Sequence, residues 1–143
     1  MVTKGAPSLS ILIADDAPVM RMLLKVMISR VLRADFTEAP DGATAMKLAQ
    51  GKRFDLVFLD INMPHMTGLT VLDGLRRTEA YRERPIVLLT TLGQEKDRER
   101  GLALGASAYL LKPLRNMELI RVLLKLVPQA MGVTESKKAS GAS

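Results

Sequence analysis

Asp15-Asp16, Asp60, Thr90-Thr91 and Lys112-Pro113 each stand at the end of a short apolar run: Leu9–Ala14, Phe54–Leu59, Pro85–Thr90 and Ala108–Leu111. Runs of that length, alternating with longer segments of helical period, read as buried strands of a parallel sheet, and such sheets bind ligands outside the carboxyl ends of their strands. The spacing therefore predicts that carboxylates, hydroxyls and one ammonium converge on a single sheet edge. Carboxylates gathered in this way resist joint ionisation unless a cation lies among them. The donors are hard oxygens, and Mg²⁺ (or Mn²⁺) binds through one or two carboxylates, waters and substrate phosphate oxygens, so the pattern points to phosphate chemistry.

To bring these residues together the chain needs parallel strands joined by helices. Asp35–Ala39 is the weakest strand candidate, and helices are predicted over about Pro18–Leu32, Ala43–Gln50, Leu69–Arg77, Gln94–Leu104 and Asn116–Val127. The first helix places Met20, Leu23, Leu24, Met27, Ile28 and Val31 on one face and Arg21, Lys25 and Ser29 on the other. Pro18 suits a first turn, and Gly51 and Gly105 suit helix ends. The last helix carries Ile120, Leu123, Leu124 and Val127 as its expected core stripe. Leu119, Val122 and Leu126 form a second stripe, expected to be a partner or dimer face. The fold class is α/β, a doubly wound parallel sheet of five strands in the order 2-1-3-4-5, with two helices on one face and three on the other. One domain is expected over 9–128, after a flexible N-terminus (1–8) and before a disordered tail (129–143).

With 48% hydrophobic but only 3% aromatic residues, aliphatic side chains and nine Met must fill the core. The absence of Cys excludes disulfides and thiolate metal sites, and a single His cannot build a histidine metal cluster. The first residues fit neither a signal peptide nor a membrane span, so a cytoplasmic protein without membrane insertion is expected. The net charge of +6 raises the question of nucleic acid, but the Lys and Arg are scattered and lack aromatic interleaving, so no nucleic-acid partner is expected.

ILIADD, LVFLDINMPHMTGL, PIVLLTT and GASAYLLKPL together resemble the receiver domains of two-component signalling, over about Ser10–Val127. Single-domain, chemotaxis-type (CheY-like) response regulators are similar small relatives. The resemblance implies that Asp60 is a phosphoacceptor, Asp16 a direct metal ligand and Asp15 a ligand through metal-bound water. It also implies that the Asn62 backbone carbonyl completes the metal shell, Lys112 pairs with the phosphoryl oxygens, Thr90 is a switch hydroxyl and Tyr109 a switch aromatic. Lys112-Pro113 resembles the family's cis pair, and Thr91 and Leu92 depart from the usual small and polar residues, which suggests unusual self-dephosphorylation.

By the same resemblance, a histidine kinase or histidine phosphotransfer protein docks near Ala17, Pro18, Met20 and Arg21. The output surface then comprises the fourth helix, fifth strand and fifth helix, in chemotaxis, motility or a phosphorelay. On this reading the protein is no enzyme beyond its own phosphorylation and dephosphorylation. Alternatives are an aspartyl-nucleophile, Mg²⁺-dependent phosphatase, which would commonly carry a second acid where Asn62 stands, and an adaptor of the same fold that needs no phosphorylation. A flavodoxin-like cofactor binder lacks its phosphate loop after the first strand. His65 reads as an ordinary loop residue and Gly68 as a turn glycine.

Overall fold

The computed structural model describes residues 8–132. Helices alternate with strands throughout: β1 (Leu9–Ala14), α1 (Pro18–Ser29), β2 (Ala34–Ala39), α2 (Gly42–Gly51), β3 (Leu56–Asp60), α3 (Gly68–Arg76), β4 (Ile86–Thr90), α4 (Glu95–Ala103), β5 (Ala108–Leu111) and α5 (Asn116–Leu126). The strands form one parallel sheet in the order β2-β1-β3-β4-β5, as the sequence predicts. Every residue of β3 and β4 is buried, which explains why these segments read as unbroken hydrocarbon up to their polar ends.

Alternate strand residues feed two cores. Leu12, Val57, Leu59, Ile86 and Leu88 pack beneath α2 and α3. Ile11, Ile13, Phe58, Val87 and Leu89 pack beneath α1 and α5. Local chemistry sets the boundaries: Pro18 opens α1, Asp41 and Thr67 cap α2 and α3 by accepting the Thr44 and Thr70 amides, and Gly105 leaves α4 at φ 103°. Gly51 ends α2 from inside its last turn.

Three expectations change. On α5 the inward stripe is Leu119 and Leu123, with Val122 and Leu126 packed against the same core. Leu119 is only 1% exposed, so the Leu119, Val122, Leu126 stripe is no partner face; Leu124 and Met117 are the apolar residues left outside. The sequence reading put the helix in the wrong phase because apolar side chains surround most of it. α1 stops at Ser29, and Leu23, expected inside, joins Val19, Met22 and Val26 in an exposed apolar row. Pro128–Met131 forms a 3₁₀ turn that buries Ala130, so the chain stays folded beyond the expected boundary at 128. The expected flexible residues 1–7 and tail residues 133–143 lie outside the described residues. Among the described residues no helix is long and apolar enough to cross a membrane.

Candidate phosphoacceptor site

Asp60 is the last residue of β3, and the register pairs it with Leu89, one residue before Thr90. β1 delivers Asp15 and Asp16 at the neighbouring edge, since Ala14 pairs with Leu59. Carboxylate oxygens of Asp15, Asp16 and Asp60 all lie within 4.8 Å of one another. Asp15 is fully buried and Asp60 almost so, whereas Asp16 opens to solvent.

Lys112, just past β5, reaches into this cluster. Its Nζ lies 2.8 Å from Asp15 Oδ2 and 3.4 Å from Asp60 Oδ1, and the peptide to Pro113 is cis. β5 is held for this purpose at its start: the Arg76 guanidinium on α3 donates to the Gly105, Tyr81 and Arg84 carbonyls and to Ser107 Oγ.

Burial and the neighbouring Asp15 charge push the Asp60 carboxyl up from 3.8 to about 6, against the opposing pull of Lys112 and the Asn62 amide. Thus one ammonium does not balance the acidic cluster. The donor set fits a hard divalent cation, which would offset the cost of holding these carboxylates ionised side by side. The Asn62 amide donates to Asp60 Oδ1 at 3.3 Å, which sets the strand exit beside the acceptor.

Thr90 closes β4 with its hydroxyl buried and, among the described residues, without a hydrogen-bond partner. Buried hydroxyls nearly always find one, and this hydroxyl belongs to the residue just beyond the β4 partner of Asp60. Tyr109, on β5, is 38% exposed and turned outward, where the Arg98 guanidinium lies 4.8 Å from its ring centre. The structure therefore brings Asp15, Asp16, Asp60, Asn62 and Lys112 together, places Thr90 one residue beyond the β4 partner of Asp60, and leaves Tyr109 at the rim.

Two contributors escape sequence reading. Arg21 turns back from the surface: it donates to the Asp15 carbonyl at 2.6 Å and pairs with Glu38 at 2.9 Å, and so braces the loop that holds both acids. The hydrogen bonds from Lys25 and Arg21 hold the Glu38 carboxyl below its ordinary value. Gly68 is the buried first residue of α3, where an added Cβ would collide with the Asp60 carbonyl; only a glycine lets α3 come so close. Both depend on how a helix folds back onto the end of the strand just before it, which residue types alone do not reveal. His65, in the loop between β3 and α3, is exposed as expected but carries a positive φ of 67°.

A strand-end carboxylate set between an acidic pair, a lysine and an unsatisfied hydroxyl on this sheet defines a phosphoacceptor module. The chain belongs to the response regulator receiver domain family, which it matches over residues 11–124, and is thus a signalling module of two-component systems. It is 42% identical over 106 residues to the sensor protein EvgS of Escherichia coli (strain K12), covering 74% of this chain and 9% of that protein. Chemotaxis response regulator CheY4 of Vibrio cholerae superposes with a TM-score of 0.77 at 30% identity, over 85% of this chain and 100% of that one. The receiver domain of sensor histidine kinase PA1611 from Pseudomonas aeruginosa PAO1, which has a magnesium ion in its active-site cleft, gives 0.77 at 30% identity over 85% and 99%. The chain spans between 9% and 52% of the length of the first curated relatives it matches.

Proposed function

We propose that Asp60 accepts a phosphoryl group from the phosphohistidine of a sensor kinase or phosphotransfer protein, and that the chain thereby switches a partner-binding surface in the cytoplasm. The observation that carries this reading is the convergence of the Asp60 carboxylate with Asp15, Asp16 and Lys112, whose Nζ lies 3.4 Å away. Asp60 Oδ forms the new bond to phosphorus as the phosphorus–nitrogen bond of the donor breaks, and the departing imidazole takes up a proton. Lys112 and Thr90 then donate to the oxygens where charge accumulates, the form of help that phosphoryl transfer needs most.

Asp15, Asp16, Asp60 and the Asn62 carbonyl would hold a divalent cation, Mg²⁺ or Mn²⁺, which supplies neutralising charge to phosphoryl oxygens. The magnesium ion in the PA1611 receiver cleft supports that choice.

The exposed row of Val19, Met22, Leu23 and Val26 on α1, beside Ala17 and Pro18, suits a helical donor with an apolar face. Output would leave through α4, β5 and α5, where Leu92, Arg98, Tyr109, Leu111 and Arg115 line a groove of about 430 Å³. The likeness to CheY4 favours chemotaxis or another motility system, and a phosphorelay uses the same chemistry. Treatment with acetyl phosphate and Mg²⁺ is expected to add one phosphoryl mass to the natural chain and none to Asp60→Asn. An unmodified natural chain would end the proposal.

A further inference from the structure

The sheet ends at β2, and between this edge strand and the second half of α2 lies a groove of about 530 Å³. Space of that order, roughly 300–1,000 Å³, suits a small molecule. Leu48 and the buried Phe54 form its apolar lining, with the half-buried Thr37 and Thr44 beside them. Gly51, the last residue of α2, leaves the groove open: a Cβ built there meets nothing within 4 Å. Lys52 and Phe54 precede β3 whereas Asp60 ends it, so this groove lies at the other end of that strand from the acidic cluster.

The charges along the groove have one sign. Lys47 and Lys52 line it, both exposed, and no acid does. Among the described residues the lysines that pair with carboxylates are Lys25 and Lys112, so the Lys47 and Lys52 ammonium groups lack a counter-ion. Lys52 Nζ lies 5.4 Å from the centre of the Phe54 ring, which sets a cation against the apolar wall. Acids in the neighbouring segments are committed elsewhere. Glu38 pairs with Arg21 and Lys25 on α1, Asp41 caps α2 by accepting the Thr44 amide at 2.7 Å, and Asp35 accepts the Ser8 hydroxyl at 3.4 Å.

We propose that this groove is a binding site for a small amphiphilic carboxylate, whose hydrocarbon body lies along Leu48 and Phe54 and whose head meets the Lys47 and Lys52 ammonium groups. The body gains by leaving water, and the head supplies the charge that both lysines lack. A cationic amphiphile of the same shape would face two like charges, so the site selects by sign. It also favours a single negative charge over a phosphate dianion, because the carbonyls that end α2 stand beside it and repel the second charge. The assignment holds whatever chemistry Asp60 performs.

The test uses the full chain, isotope-labelled for amide spectra and titrated with octanoate below its micellar concentration. Octylammonium, with the same chain length and the opposite charge, is the second probe. Octanoate is expected to shift the Thr37, Thr44, Leu48 and Gly51 amides saturably, and octylammonium to bind about tenfold more weakly or not at all. Replacing both lysines, Lys47→Gln with Lys52→Gln, should weaken octanoate about tenfold, the worth of two exposed ion pairs, and erase the preference between the probes. Gly51→Leu, which fills the groove from an unhindered position, should abolish the octanoate shifts and leave the remaining spectrum in place. If that variant does not fold, the lysine replacements decide alone. Equal binding of the two probes overturns the proposal, as does the absence of any saturable shift. So do octanoate shifts confined to the exposed α1 row, undiminished binding by the lysine variant, or undiminished binding by a folded Gly51→Leu.

Discussion

Asp60 is ionised at neutral pH against the resistance of its surroundings, and the resistance has a measurable sign. Its folded-state pKa is raised from 3.8 to about 6, so the folded chain binds the proton more tightly than the unfolded one. The carboxylate thus costs no stability below about pH 4, costs progressively more as the pH climbs through 6, and costs its full amount above that. Without divalent cations, Asp60→Asn is expected to raise the melting temperature at pH 7.5 by about 3–6 °C, an advantage that fades as the pH falls to 4. A melting series with and without Mg²⁺ checks it, since a bound cation should shrink the difference at pH 7.5. Arg21 offers a second residue-scale test. Because it braces the Asp15 carbonyl, Arg21→Ala should weaken Mg²⁺ binding about fivefold by calorimetric titration. Glu38→Gln should weaken it less, as Arg21 keeps its bond to the loop. The acids, Lys112 and Thr90 were legible in the sequence because each is a polar residue ending an apolar run. Arg21 was not, because it acts through a side chain folded back onto the backbone of the preceding strand's end.

At the scale of elements, α3 shows how closely a helix must approach for the acceptor to be framed. An added methyl at Gly68 would meet the Asp60 carbonyl, so Gly68→Ala is expected to destabilise the fold by about 1–3 kcal/mol in urea titrations and to slow phosphorylation by acetyl phosphate. Slowed phosphorylation is the informative part, because a purely structural cost would leave the folded fraction fully reactive. On α5, Leu119 and Met117 separate core from surface. Leu119→Ala should cost about 2–4 kcal/mol, whereas Met117→Ala should change stability by less than about 0.5 kcal/mol. β3 and β4 were readable from sequence to within two residues, since burial on both faces leaves a continuous apolar run, whereas the half-exposed β2 (ADFTEA) was the weakest candidate. The phase of α5 was not: Leu119, Ile120, Val122, Leu123, Leu124 and Leu126 surround most of its circumference, and only the position of the sheet decides which of them turn inward. α1 misled in the same way at Leu23.

For the whole molecule, the sheet divides two duties. One edge gathers the carboxylates and Lys112, while the α1 flank exposes an apolar row and the α4–β5–α5 flank a groove, surfaces that serve different partners on the reading proposed above. Met22→Asp on the α1 flank is expected to leave stability nearly unchanged and to slow transfer from a phosphohistidine protein about tenfold, with a much smaller effect on acetyl phosphate. Parallel time courses with the two donors measure that selectivity. The two-sided core and five-strand order were foreseeable, because alternating apolar runs and helical segments permit few other arrangements. What each flank contacts lies in partner chemistry that one chain does not encode. The sheet register has one further consequence. Side chains alternate from face to face along a strand, so if β3 slipped by a single rung it could keep its ladder and its oily interior yet present Leu59 where a nucleophile belongs. Chemical competence in this chain is therefore a report on strand alignment: a misaligned molecule could pass as folded by its spectrum and still be inert toward every phosphodonor.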